Sequence, residues 1–269
     1  TQSATTACSR SARRMNSPMN PWLVLKQELD LWRSADLVAT LWWRDDDATH
    51  ASGALDRLLA ISERTGVPVA LAVIPRDIHE SLNQRLSRCG SAWSLQHGWS
   101  HANHAPEADR QEEFGPHRPV DVMLGELTEG WRRIATLPRS LPVLVAPWNR
   151  MDPGLIGDLP RAGLAAISTL GPRPKPEPAQ GVHQTNVHVD IVDWCGHRGF
   201  VGEAAALGQV VTHLRQRRQG AVDGAEPTGL MTHHLFHDEG CWWFVEEFLR
   251  RSSVHPAVRW LSAQDAFWP

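Results

Sequence analysis

The chain has 269 residues, 42% hydrophobic and 21% charged, enough for a buried core; this excludes a disulfide mini-protein and a wholly disordered chain. Lys+Arg 27 against Asp+Glu 30 leaves a net charge of -3, which argues against broad electrostatic binding of nucleic acid or an anionic membrane. Against that ordinary background stand 14 His and 13 Trp with no Tyr, residues that ligate metals, move protons near neutral pH and present flat apolar faces.

Residues 1–20, rich in Ser, Thr and Arg, lack the apolar stretch of a secretory signal and are expected to be a flexible tail. Cys8, Cys89, Cys195 and Cys241 form no CxxC pair, and no apolar run approaches the ~18 residues of a membrane helix. The expectation is a cytoplasmic protein without a membrane span. Pro21 suits the first turn of a helix over 22–32. A β-type run over 37–43 then ends in Arg44-Asp45-Asp46-Asp47. Helical spacing over 52–64 closes at Gly66, and the apolar run 68–74 predicts a strand buried on both faces. A helix over 78–88 and a strand over 92–96 lead directly into His97.

The alternation continues with helix 120–136, strand 141–146, helix 153–162 and strand 164–170. A proline-rich loop, 171–178, precedes a strand over 186–192 and a helix over 202–218. After a polar loop, strand 229–232, helix 241–251 and strand 258–261 complete the chain. Such alternation predicts a parallel sheet with right-handed crossovers. At this length a distorted α/β barrel of about seven strands fits better than two domains, with an open doubly wound sheet as the competing architecture.

Polar segments recur at strand ends: Asp45–Asp47, His97–His101, Pro147–Arg150, Asp193-Trp194 and His233-His234. In a parallel barrel all strand C-termini open on one face, so these segments converge on one rim. Three adjacent carboxylates repel one another unless Arg44 or a divalent cation offsets them; a solvated loop, with Asp47 capping the next helix, is the simpler account. His97 and His101 are four residues apart, on one face of a helical turn, with His104 as a further ligand or an outer partner. With one carboxylate they would make a two-His, one-Asp site suited to zinc or another divalent transition metal. His233 and His234 are neighbours on a strand and point to opposite faces, so one of them enters the site, as a proton donor to a leaving group. Asp193 would orient that histidine. Trp99, Trp148 and Trp194 sit beside these polar residues, where they would line a groove for sugar rings.

These segments resemble the five ordered motifs of the NodB-homology polysaccharide deacetylases, the family 4 carbohydrate esterases. Arg44-Asp45-Asp46-Asp47-Ala48 stands for the family's Thr-Phe-Asp-Asp-Gly, making Asp46 the general base and Asp47 a metal ligand. A shift of one residue would give those roles to Asp45 and Asp46. His97-Gly98-Trp99-Ser100-His101 matches His-Thr-x-x-His, whose two histidines bind the metal. Ala146-Pro147-Trp148-Asn149-Arg150 is a weak form of Arg-x-Pro-Tyr-Gly that lacks the arginine orienting the base, for which Arg44 or Arg150 would substitute. Asp190-Ile191-Val192-Asp193-Trp194 keeps Asp-x-x-Asp-Trp, and Leu230-Met231-Thr232-His233 ends in the histidine that acts as general acid, followed by His234 where Asp is frequent.

The resemblance implies one catalytic domain over 21–269 with a distorted β/α barrel. It implies a metal-dependent hydrolase, with Zn2+ as the expected ion, that removes N- or O-linked acetyl groups from a carbohydrate. Pro147, Trp148, Asn149, Trp99 and Trp194 would contact the sugar. Two other readings compete: a hydrolase of non-peptide C–N bonds in cyclic amides on the same fold, and a sugar-binding relative without turnover.

Overall fold

The computed structural model describes residues 20–269, so the expected tail, apart from Asn20, lies outside the described residues. Helix α1 (Pro21–Ser34) starts where the Asn20 side chain accepts the Trp22 N–H, with Pro21 in the first turn, and buries Leu25, Leu29 and Trp32. Strand β1 (Ala39–Ala48) is longer than its apolar run: it continues through the acidic cluster. Arg44 on the same strand holds Asp46, and Thr232 and His234 hold Asp45, so those two carboxylates are buried within the fold and not carried on a solvated loop. Next come α2 (Gly53–Thr65), capped by Ser52 and closed by Gly66 at φ +70°, β2 (Val69–Val73), α3 (Glu80–Leu86) and β3 (Ala92–His97). Helix α4 (Val120–Ile134), β4 (Ser140–Val145) and β5 (Ala166–Ser168) follow. The predicted helix over 153–162 is a run of 3-10 turns, since Pro160 cannot donate within it and glycines at 154 and 157 weaken it.

Of the strand expected over 186–192 only β7 (Val189–Asp190) forms, preceded by β6 (His183–Gln184), which was not expected. Then come α5 (Glu203–Arg218), β8 (Thr228–Thr232), α6 (Glu239–Ser253), β9 (Val258–Trp260) and a short α7 (Ala263–Phe267) that is too brief to show a helical period.

Every strand pair is parallel, in the order β6-β5-β4-β3-β2-β1-β8-β7, with β9 against the start of β1. The broken segment bridges the two ends: β6 pairs with β5, Val187 bridges Leu170, and β7 pairs with β8. The sheet is thus curled into a distorted barrel in which 183–190 acts as one interrupted strand. Its interior holds Trp42, Ala70, Ala72, Leu95, Val143, Val145, Val187 and Met231, and Phe267 of α7 packs on Trp42 at 5.4 Å. The alternate residues Leu41, Trp43, Leu71 and Val73 face a layer with Leu55, Leu58, Phe244 and Phe248 of the helices. No helix among the described residues is long and apolar enough to cross a membrane.

Candidate active site

Strand alternation on β1 places Trp42 in the barrel interior and Trp43 in the helix layer. Arg44 and Asp46 follow Trp42, and Asp45 follows Trp43. The β1–β2 register shifts between Asp45 and Ala48, and Asp47 takes φ +73°. That irregularity lets two sequential carboxylates, Asp46 and Asp47, serve the same mouth. Asp45 lies on the other side, against Thr232 and His234. The register with Asp45 and Asp46 as the working pair therefore does not fit the fold.

Asp47, His97 and His101 come together, their ligand-capable atoms all within 4.8 Å of one another. Asp47 Oδ1 is 3.2 Å from His97 Nε2 and 3.6 Å from His101 Nε2, and it has no hydrogen-bond partner among the described residues. His97 Nδ1 lies 3.1 Å from the Val145 carbonyl, which fixes the ring proton there and leaves the Nε2 lone pair facing Asp47. Three electron-pair donors converging in a buried corner suit a divalent cation. Burial alone would raise the Asp47 carboxyl, but when His97 also carries a proton on Nε2 its hydrogen bond and charge, with those of His233 and His101 behind it, hold the carboxyl well below the usual carboxylate range. Burial likewise lowers His101, helped by His97.

Beneath this group Arg44, fully buried, spreads its guanidinium over the barrel interior. It donates from Nε to Asp46 Oδ1 and from Nη2 to Asp46 Oδ2, each at 2.8 Å. It also donates to Ser168 Oγ at 2.8 Å and to Asn149 Oδ1 at 2.7 Å. Of the two candidate arginines, Arg44 is the one that contacts Asp46. Arg150 does not: it donates to the Gln111 carbonyl on an exposed loop. His233 Nε2 faces Asp46 Oδ2 at 4.0 Å. His234 is turned away, in the 3-10 turn that follows β8, and pairs with Asp45.

Asp193 does not orient His233. It accepts from the Gly196 N–H and lies 3.3 Å from His197 Nδ1, since the chain turns outward after Val192. Asp190, three residues earlier, accepts Trp194 Nε1–H at 2.9 Å, and burial raises its carboxyl. Its i, i+4 spacing to Trp194 was visible within the fourth motif.

The mouth is walled by aromatic rings. Trp148 lies 4.3 Å from His101, and Trp194 meets His233 edge-on at 4.8 Å and Phe236 at 5.3 Å. Trp99 is absent from this wall: Arg133 covers its ring at 4.9 Å, and it packs on the outer cluster with Phe114 and Met123. Asn149 holds Arg44, and Pro147 is buried against Gly98. His104 is exposed in the following loop, outside the ligand group. Glu113, unforeseen and fully buried, accepts the N–H groups of Trp99 and Ser100 and the Ser100 hydroxyl, at 2.8–3.1 Å, and so fixes the turn between the two histidines. Nothing in the sequence marks it, because the loop brings it back from a distance. Four of the seven non-glycine residues with positive φ among the described residues lie here: Asp47, His101, Trp148 and Asn149. Backbone strain of this kind clusters at working sites.

His188, His213 and Glu226 form a second close group. There the Gly229 N–H donates to His188 Nδ1 at 3.0 Å, so the neutral ring carries its proton on Nε2, 3.3 Å from Glu226. The two imidazoles stack 3.4 Å apart at 13°, so their lone pairs run parallel instead of converging. These are packed neutral rings, not ligands; burial, then His188 and Arg217, push His213 down to about 2.

No family model and no curated protein sequence matches the chain. Among solved structures it is similar to one described as a polysaccharide deacetylase from Mycobacterium smegmatis, at 14% identity over 86% of this chain and 89% of that one, TM-score 0.59. It is similar to a CE4 esterase of Streptococcus mutans at 10% identity over 86% of each chain, TM-score 0.54. A family 4 carbohydrate esterase of Bacillus subtilis shares 11% identity over 90% of this chain and 89% of that one, TM-score 0.50. At these identities the likeness establishes the fold: the distorted barrel expected from the motifs is the architecture of NodB-type deacetylases.

Proposed function

We propose that residues 21–269 form one catalytic domain of a divergent, metal-dependent carbohydrate deacetylase of the NodB-homology type. The observation that carries this reading is convergence: Asp47, His97 and His101 share one barrel mouth with Asp46 and His233, 4.0 Å apart. A pure binder has no need of an acid facing a base.

A divalent metal, Zn2+ by donor type, held by Asp47, His97 and His101 would supply a Lewis acid for the acetyl carbonyl and acidify a water beside it. Asp46 receives the proton of the attacking water on a carboxylate oxygen whose orientation Arg44 fixes from below. His233 delivers a proton from Nε2 to the departing nitrogen or oxygen, so that acetate and the free amine or hydroxyl leave with charge balanced. Trp148 and Trp194 present aromatic faces to the pyranose of an acetylated amino sugar.

The test is acetate release from acetylated amino-sugar substrates with added zinc. Asp46→Asn and His233→Ala should each lower kcat by at least ~100-fold. Amine or ammonia without acetate would redirect the assignment to cyclic-amide hydrolysis. Sugar binding without any product would mark a binding protein.

A further inference from the structure

Asp45 is a fully buried carboxylate that takes no part in the chemistry above, yet it makes three contacts with one short stretch of chain. Its Oδ2 accepts the Thr232 hydroxyl at 2.6 Å and the His234 backbone N–H at 3.0 Å, and its Oδ1 pairs with His234 Nδ1 at 2.5 Å. Thr232 and His234 are the two residues that flank His233. The His233 ring is held far less firmly. Its Nδ1 has no partner among the described residues, its Nε2 is 4.0 Å from Asp46, and its ring is flanked by Trp194 at 4.8 Å and Phe236 at 6.5 Å. Asp45 and Thr232 are also paired in the β1–β8 register. Asp46 on β1 and His233 just past β8 thus face the mouth, while Asp45 and His234 pair with each other on the other side.

We propose that Asp45 is a positioning residue: by gripping both neighbours of His233 it sets the separation between the acid one residue past β8 and the base on β1. This inference rests on the deacetylase reading of Asp46 and His233. Charged groups behind the sheet serve the mouth through the backbone, without touching substrate. A misplacement near 1 Å at a reacting group costs on the order of 100-fold in rate.

The experiment uses the full chain and three variants, His234→Ala, His234→Asn and Thr232→Val, the Asn amide N–H standing where the imidazole Nδ1–H stood. His234→Ala should lower kcat by ~10–100-fold, with KM and bound metal unchanged. His234→Asn should return kcat to within a few-fold of wild type, and Thr232→Val, the milder change, should fall between. Unchanged kcat in His234→Ala and Thr232→Val, or no rescue by Asn, overturns the proposal. If wild type releases no acetate at all, the deacetylase reading fails by itself, and NMR of labelled histidine then decides. A His233 ring signal that moves in His234→Ala and returns in His234→Asn supports the clamp; one that stays fixed in both overturns it.

Discussion

Arg44 grips both oxygens of Asp46 from inside the barrel, Nε to Oδ1 and Nη2 to Oδ2, each at 2.8 Å, with both side chains buried. The pair is two residues apart on one strand, so alternation puts both on the same face and the planar fork matches the carboxylate. Arg44→Lys keeps the charge but loses the fork and the bonds to Ser168 and Asn149. Its kcat should fall by about 100-fold while the protein still folds. Arg44→Met leaves Asp46 buried without its partner, and unfolding in urea should show a loss of about 3–5 kcal/mol. Wild-type kinetics in the Lys variant would show that orientation of Asp46 is not needed.

Metal content separates the ligand group from its surroundings. His97→Ala and His101→Ala should each weaken zinc binding by more than about 100-fold, beyond the loss typical of an outer partner. The double variant should be metal-free by atomic emission. Stoichiometric metal retained in the double variant would remove Asp47, His97 and His101 as its holders.

The turn between those histidines is intolerant of a side chain at Gly98. There φ is +59°, and a Cβ would stand 2.0 Å from Glu113 Oε2 and 2.5 Å from Pro147 Cγ. Gly98→Ala should cost about 1–3 kcal/mol by overpacking. Glu113→Ala frees the same turn without a clash and should weaken zinc affinity by about 10–100-fold. Urea unfolding checks the first and calorimetric titration with zinc the second; equal affinity in Glu113→Ala would mean the turn holds its shape unaided.

Acid should destabilise the fold through buried neutral histidines. Burial pushes His213 down to about 2, and His237 to about 4, from 6.5. In the unfolded chain both titrate near 6.5, so below that pH the unfolded state binds protons that the folded state refuses. Stability therefore rises with pH through this window and is lost as pH falls below about 6.5, by up to about 1.4 kcal/mol per pH unit for each ring. Urea unfolding of His213→Gln should show a shallower acid limb than wild type. Parallel curves would assign the acid sensitivity elsewhere.

Much of the fold was readable because strand–helix alternation is a local pattern. The β2 run is apolar at every position and buried at every position, and Ser52 and Gly66 bracket α2 as caps. The break within 183–190 was not readable, since the segment changes partner strand halfway, a decision made by distant residues. For the site, His97 and His101 do meet, but across a bend after β3 with Gly98 at φ +59° and His101 at φ +54°, not on the helical turn that their spacing suggested. The same logic misplaced Trp99, whose direction depends on the backbone after Gly98, and Asp193, which follows an outward turn.

By itself the sequence determined which residue types stand at strand ends, and hence that acid, base and ligand candidates would meet on one rim. Only the tertiary structure decided which of Asp45, Asp46 and Asp47 faces which partner. Spacing alone cannot separate three adjacent carboxylates; a register shift and one positive φ at the end of β1 can, by turning two of them into the mouth and leaving the third to grip β8 from behind.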